Sequence, residues 1–438
     1  MIDLKDLREN PDRYREAARL KRIDVDIDRL LELEGRHRAL EAERQQLTAE
    51  KNQIGKQIGQ LAGRLKKAAA GEREGMAEEM KCLQARPTEL KALEQKLEVE
   101  AGELWPQIEA ILLRVPQPAD ADVPMGKDDS ENVELRKWGE VRQFDFEPKD
   151  HVTLGADLGM IDIDRGVKLA GTRSWFLRGA GSLMHQAVLR LAMDLMLEQG
   201  FVPMTVPVVV REGAMRGTGY FPLGREQAYE MVDEDPPVFL VGTAEVSLTA
   251  YHMDEILDGK TLPRKYVAMS SCFRREAGTY GKDTAGLYRI HQFDKVEQVV
   301  ICRNDVEESR RWHQEILGNA EAVLQKLRLP YRVVLVCTGD LGQGQAAKYD
   351  IETWMPSRGT WGETHSASRF YEFQARRLNL RYRDADGKTR ICHTLNNTVI
   401  ASPRILIPIM ELNQNADGSI TVPEALRPYM GGMERIGQ

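Results

Sequence analysis

The sequence is poor in cysteine. Five are scattered over 438 residues (Cys82, Cys272, Cys302, Cys337 and Cys392), and none forms a CxxC pair. That excludes a disulfide framework and a thiolate zinc site, and no zinc is expected. No apolar run is long enough to span a bilayer, and mean hydropathy is −0.45. The opening stretch, MIDLKDLRENPDRYREAARL, lacks the apolar centre of a signal peptide. A cytosolic protein with no membrane association is predicted. Neither sign of charge dominates: 61 Lys and Arg stand against 68 Asp and Glu, a net charge of −7. Any nucleic acid must therefore be met by local basic patches. Also missing are GxxxxGK[ST], a GxGxxG before a helix, and a nucleophile with its base.

The length predicts two or three domains. After a short helical start with Asn10-Pro11 as its signal, the strongest periodicity begins. Leu33, Leu40, Leu47, Ile54 and Leu61 are spaced by sevens, as are Met76, Leu83, Leu90, Leu97, Leu104 and Ile111. A break at Ala68-Ala69-Ala70-Gly71 separates the two runs. Two heptad runs around a glycine-containing break predict an antiparallel helical hairpin. Arms of about 40 residues reach roughly 60 Å. His37, Arg44 and Lys51 occupy one seam row, and Pro87 is expected to kink or restart the second helix. Lys51, Lys56, Arg64, Lys66 and Lys67 lie near the tip, where they could meet phosphates.

Pro116, Pro118 and Pro124 mark a linker over 116–141. From Phe144 onward the pattern is mixed helix and strand. An amphipathic helix is predicted over Gly181 to Gly200, followed by a strand broken by Pro203 and Pro207. The densest chemistry lies in 273–297, FRREAGTYGKDTAGLYRIHQFDKVE. Its flanks predict two antiparallel strands joined by a long basic loop, with 288–293 already alternating as a strand does. Guanidinium forks at both ends suit a nucleoside triphosphate, and an aromatic on the strand suits a base. Gly242-Thr243-Ala244-Glu245 places a hydroxyl and a carboxylate two residues apart, where they could face one pocket or cap a helix.

The order Phe-Arg-x-Glu, glycine-rich loop, Arg-x-His-Gln-Phe-x-Lys-Val-Glu resembles motif 2 of class II aminoacyl-tRNA synthetases, in the form of the seryl-tRNA synthetase family. The helix and proline-broken strand before it resemble motif 1, which builds the family's dimer interface. Ala401-Ser402-Pro403-Arg404 resembles motif 3, and Leu426-Arg427-Pro428-Tyr429-Met430 the C-terminal signature. The resemblance implies an α+β fold: an antiparallel sheet flanked by helices, dimeric, preceded by the hairpin. It implies a tRNA-binding domain over 1–115 and a catalytic domain over 142–438. It places Thr243, Ala244, Glu245, Arg274, Glu297, Asn396 and Thr398 around serine. It places Arg274, Arg275, Glu276, Arg289, Phe293, Glu363, Thr364, His365, Ser366 and Arg404 around ATP, with Glu363 and Ser366 on Mg2+. Arg274, Glu363 and Arg404 would carry catalysis, and the hairpin would grip tRNA.

The implied reaction makes seryl-adenylate from L-serine and ATP, then loads serine tRNA, with selenocysteine tRNA a further possible acceptor. In-line adenylation needs positioned cations and no covalent enzyme intermediate. Two readings compete: an activator of a small amino acid that loads a carrier protein, and an inactive tRNA-binding scaffold. The full arm argues against the first. Intact Arg274, Glu276, Glu297, Glu363 and Arg404 argue against the second. A duplicate resistant to a serine-mimicking inhibitor shares the chemistry. The sequence departs from the family's common residues at Arg275 (often Ser), Arg369 (often Asn), and Asn397, Val399 and Pro403 (often Gly).

Overall fold

The computed structural model describes residues 1–67, 69, 71–278 and 286–437. Two compact units emerge: 24–115, and 1–23 together with 116–438. Residues 1–23, grouped with the arm on sequence grounds, thus share the larger unit. There Leu4–Glu9 (α1) is capped by Asp3, and Pro11–Leu20 (α2) starts on its proline.

The smaller unit is the hairpin, Ile27–Leu65 (α3) and Arg73–Leu112 (α4). Leu33, Ile54 and Leu61 are buried against a seam that includes Leu90 and Leu104. The polar seam row finds partners on the facing helix. Lys51 pairs with Glu94, Arg44 reaches Glu98 at 3.8 Å, and His37 meets the Trp105 ring at 5.5 Å. Residue numbers rise on one helix as they fall on the other, so the pair is antiparallel. The restart allowed for at Pro87 does not occur: α4 runs unbroken through it. A proline removes one amide donor, and the seam at the fully buried Leu90 continues past it. Two of the four break residues, 68 and 70, lie outside the described set. At the base, the Arg114 guanidinium donates to the Asp24 carbonyl at 3.1 and 3.2 Å.

The larger unit is built on an eight-stranded sheet. Its strands are Val133–Trp138 (β1), Val202–Met204 (β2), Arg264–Phe273 (β3), Gln292–Cys302 (β4), Tyr331–Leu335 (β5), Ala347–Met355 (β6), Thr360–Tyr371 (β7) and His393–Ser402 (β8). Their order is β1-β5-β6-β7-β8-β4-β3-β2, antiparallel except for the β2–β3 pair. β1 falls inside the stretch expected to be a linker. It joins the edge because β5 needs a partner there for its backbone groups.

The helices that matter for the site are His151–Asp157 (α5), Gly179–Glu198 (α6), Glu245–Ala250 (α7), Val306–Lys326 (α8), Phe373–Arg377 (α9) and Leu406–Leu412 (α10). One sheet face, with Val296, Val300, Ala367, Leu395 and Val399, packs with α6, α8 and α10 into the main core. Buried amides lock that packing. Gln298 donates to the Ile316 carbonyl at 2.9 Å and to Asn397 Oδ1 at 2.6 Å. The opposite face is left free to carry polar groups.

Candidate active site

β3 and β4 pair from Phe273 opposite Gln292 to Arg264 opposite Ile301. The predicted hairpin is present, and residues 279–285 of its loop lie outside the described set. The return segment differs from expectation: 288–291 is not a strand. Its backbone groups are taken elsewhere, the Tyr288 carbonyl by Arg404 Nε at 3.0 Å and the His291 amide by the Arg173 carbonyl at 3.3 Å. Glu276 sits at φ 51°, a left-handed conformation that a non-glycine residue holds only under constraint.

On β4, alternation sends Phe293, Lys295 and Glu297 to the free face. Two bulges extend it. One lies opposite Val296/Glu297 on β8, so that both Thr398 and Ala401 line the cavity. The other lies opposite Ile351/Glu352 on β7, so that Glu363 and Ser366, three apart, share it as well. Val399 occupies the first bulge and points into the core, fully buried. Asn397, buried, donates to the Ser366 carbonyl at 3.0 Å and so ties β8 to β7. Nothing in the structure explains Arg275 or Pro403.

A cavity of about 310 Å³ results. Two carboxylates stand in it. Glu245 accepts from Tyr220 Oη at 3.1 Å and from Gln374 Nε2 at 2.7 Å. Glu297 accepts from Thr398 Oγ1 at 3.2 Å and pairs with Lys295 Nζ at 2.6 Å. Burial, reinforced by the charge of Glu297, raises the Glu245 carboxyl to about 7. The same cavity is lined by Arg274, Glu276, Phe293, Glu363, Ser366 and Arg404. The Arg274 guanidinium lies 5.2 Å from the Phe293 ring centroid and 3.4 Å from the Gly242 carbonyl. Arg289 faces Glu276 at 3.6 Å. Arg404 donates to the Glu363 carbonyl at 3.1 Å and lies over the Tyr288 ring, as does Arg358. Burial works against ionisation of Glu363. Lys348, Arg404, Arg274 and Arg289 outweigh it and hold the carboxyl below its ordinary value.

Two carboxyl groups and a cluster of arginines in one cavity suit a cationic amine joined to a polyanion. An ionised carboxylate and a hydroxyl there are hard oxygen donors that fit Mg2+.

Of the residues expected in the site, Glu245, Arg274, Glu276, Phe293, Glu297, Glu363, Thr364, His365, Ser366, Asn396, Thr398 and Arg404 line the cavity. Thr243, Ala244, Arg275 and Arg289 are not among its lining residues. Thr243 Oγ1 instead accepts the Glu245 amide at 3.2 Å where α7 begins, and Arg275 is exposed. The sequence reading passed over Lys295, Tyr220, Tyr288 and Gln374. Alternation between Phe293 and Glu297 was signal enough for Lys295. Tyr288 lies within the 273–297 stretch itself, whereas Tyr220 and Gln374 come from a loop and a helix distant in sequence, and no periodicity links them. On the arm, Lys56, Arg64, Lys66 and Lys67 are exposed, while Lys51 is engaged by Glu94.

Comparison with known proteins adds to this geometry. Residues 229–413 match the tRNA synthetase class II core domain (G, H, P, S and T), and 1–117 match the seryl-tRNA synthetase N-terminal domain. The serine–tRNA ligase of Deinococcus radiodurans is 44% identical, the alignment covering 100% of this chain and 99% of that protein. The crystal structure of seryl-tRNA synthetase from Pyrococcus horikoshii complexed with ATP superposes with a TM-score of 0.89 at 38% identity, over 100% of this chain and 99% of that one. The cytoplasmic enzyme from Naegleria fowleri in complex with AMP gives 0.83 at 30% identity, over 98% and 95%.

Proposed function

The chain belongs to the seryl-tRNA synthetase family, and from that premise we propose which of its residues perform the reaction. The enzyme activates serine with ATP to seryl-adenylate and charges tRNA. In our reading the carboxylate end of the cavity takes serine. Glu245 and Glu297 receive the ammonium and the hydroxyl, with Thr398 beside them and Lys295 holding Glu297 in place. A hydroxyl-pairing site disfavours alanine, because the missing hydroxyl leaves buried polar groups unpaired.

ATP takes the arginine end. Phe293 offers its face to the adenine, Glu276 the adenine amino edge, and Arg274 the α-phosphate. Arg404 and Arg289 meet the terminal phosphates. Their work is placement of the serine carboxylate in line with the α-phosphorus and stabilisation of the developing charge. Glu363 and Ser366 supply protein oxygens for Mg2+, which when bound neutralises phosphate charge.

The 24–115 hairpin takes tRNA through the exposed basic residues toward its tip, and 142–438 does the chemistry. The protein works as a homodimer. Exposed Leu183 and Leu197 on α6, with Val202 on β2 and Met269 on β3, support that reading as an apolar surface around one helix–strand unit. No helix among the described residues is long and apolar enough to cross a membrane, which is compatible with a cytoplasmic location.

The observation that carries the assignment is one cavity lined by the carboxylates of Glu245 and Glu297 together with Arg274, Arg404 and Glu363. ATP–pyrophosphate exchange with serine, threonine, alanine and glycine tests it. Exchange driven by serine alone is expected, followed by charging of serine tRNA that weakens when the long variable arm is removed. Exchange with another amino acid refutes the serine pocket.

A further inference from the structure

Between the sheet and its N-terminal segment lies a buried lysine that the reaction does not use. Lys21 follows α2 and is 5% exposed. Its Nζ donates to the carbonyls of Gly342 at 3.1 Å, Gln343 at 3.3 Å and Gln345 at 2.5 Å. An ammonium has three N–H groups, and here it meets three carbonyl acceptors. The segment it holds, Gly342-Gln343-Gly344-Gln345, lines the cavity.

This segment bounds the serine end. Gln345 Nε2 donates to Ser368 Oγ at 2.8 Å, and Ser368 stands opposite Asn396 in the β7–β8 register. Gly344 presses on Phe373, where an added Cβ would lie 2.5 Å from the ring. Gly219, next to the Tyr220 that donates to Glu245, rests on the same ring. Two of the four wall residues are glycines, so few side chains fix the wall: the Gln345 amide, bonded to Gly342 and Ser368, and whatever grips the wall's carbonyls.

The grip is itself braced. Asp120 faces Lys21, accepts from the buried Arg369 and from Tyr371 Oη, and donates its amide to the Ala346 carbonyl at 2.9 Å. The Arg369 carbonyl in turn accepts the Ala346 amide at 2.8 Å. Arg369 stands where the family often has Asn, and this brace gives the arginine a role.

We propose that Lys21 is a positioning residue for amino-acid selection, pinning 342–345 as the rigid wall of the serine end. The proposal rests on the serine-pocket reading above. Hydroxyl-pairing groups accept threonine as readily as serine, so only volume excludes the extra methyl. One methylene is worth about 10- to 200-fold in selectivity, and a wall that yields forfeits it.

Lys21→Met keeps the stem and removes the donors. Serine-, threonine- and ATP-dependence of pyrophosphate exchange are measured together with thermal melting. The serine KM should rise about tenfold and the threonine-to-serine ratio of kcat/KM should rise about tenfold, with the ATP KM within about twofold. Lys21→Arg, which keeps charged donors, should recover part of the selectivity. A folded Lys21→Met protein with an unchanged serine KM, or with serine and ATP KM rising together, overturns the proposal. Should Lys21→Met not fold, Gln345→Ala carries the test. It cuts the link from Gly342 N–H, 2.6 Å from Gln345 Oε1, to Ser368. It must show the same split, and an unchanged serine KM there overturns the proposal equally. Absence of serine-driven exchange in the unaltered protein would instead refute the serine pocket itself.

Discussion

With Glu245 in the proposed serine pocket, serine capture should depend on pH. Its carboxyl is raised to about 7, first by burial and then by Glu297. Below that value the empty pocket holds a neutral acid, and above it a carboxylate. Serine's amine stays protonated throughout, so only the ionised form offers it an ion pair. The ionised fraction falls from roughly nine-tenths at pH 8 to roughly one-tenth at pH 6, so the serine KM should rise about tenfold over that interval. The assay is serine-dependent ATP–pyrophosphate exchange at saturating ATP from pH 6 to 8.5. Glu245→Gln keeps an acceptor for Gln374, with the Tyr220 hydroxyl turned to accept from the new amide, but removes the charge. A charged hydrogen bond is worth about 1.5–3 kcal/mol, so kcat/KM for serine should drop about 10- to 100-fold at pH 8. The pH dependence should vanish with it. A flat profile in the unaltered protein, or an unchanged slope in Glu245→Gln, refutes the reasoning.

Three further sets of substitutions probe the site, its scaffold and the arm. Arg274→Ala should cut kcat for adenylation by about 10²–10³ while melting stays nearly unchanged, because the side chain gives the fold a long 3.4 Å hydrogen bond to Gly242 and a contact with the Phe293 ring; single-turnover adenylate formation checks it. Glu411, fully buried, accepts from the His151 amide and Nδ1 and from the Ser357 amide and Oγ, at 2.7–3.0 Å. Glu411→Ala strands these donors at a cost of about 3–5 kcal/mol, read by denaturant unfolding. Because His151 Nε2 accepts the Leu287 amide, one residue before Tyr288, the ATP KM should rise too. On the arm, removing Lys56, Arg64, Lys66 or Lys67 should each weaken tRNA binding and lower the salt slope by about 1, whereas Lys51→Ala should leave the slope alone.

Much of this was legible in the sequence because period carries geometry. Sevenfold spacing gave both arm helices, and alternation around Phe293 and Glu297 gave the strand that floors the pocket. The 288–291 segment misled for a physical reason: it alternates in character, yet its backbone groups bond to Arg404 and Arg173 instead of a neighbouring strand. Pro87 misled because the seam beyond it outweighs one lost amide. What no local pattern could reveal is convergence. Tyr220, Gln374 and Lys21 reach the cavity region from separate stretches of chain, and the bulge that lets Glu363 and Ser366 face the same way depends on the pairing of β6 with β7.

The Arg114–Asp24 contact closes the base of the arm. The chain leaves the catalytic unit after residue 23 and re-enters it at 116, and two hydrogen bonds join the exit to the return. Ninety-two residues are thereby inserted between points already held together, at little loop-closure cost. The arm is a cassette in the topological sense. Lengthening, shortening or exchanging it above Arg114 and Asp24 leaves the ends of the catalytic chain where they were. The arm and the catalytic unit can therefore change independently, each without refolding the other.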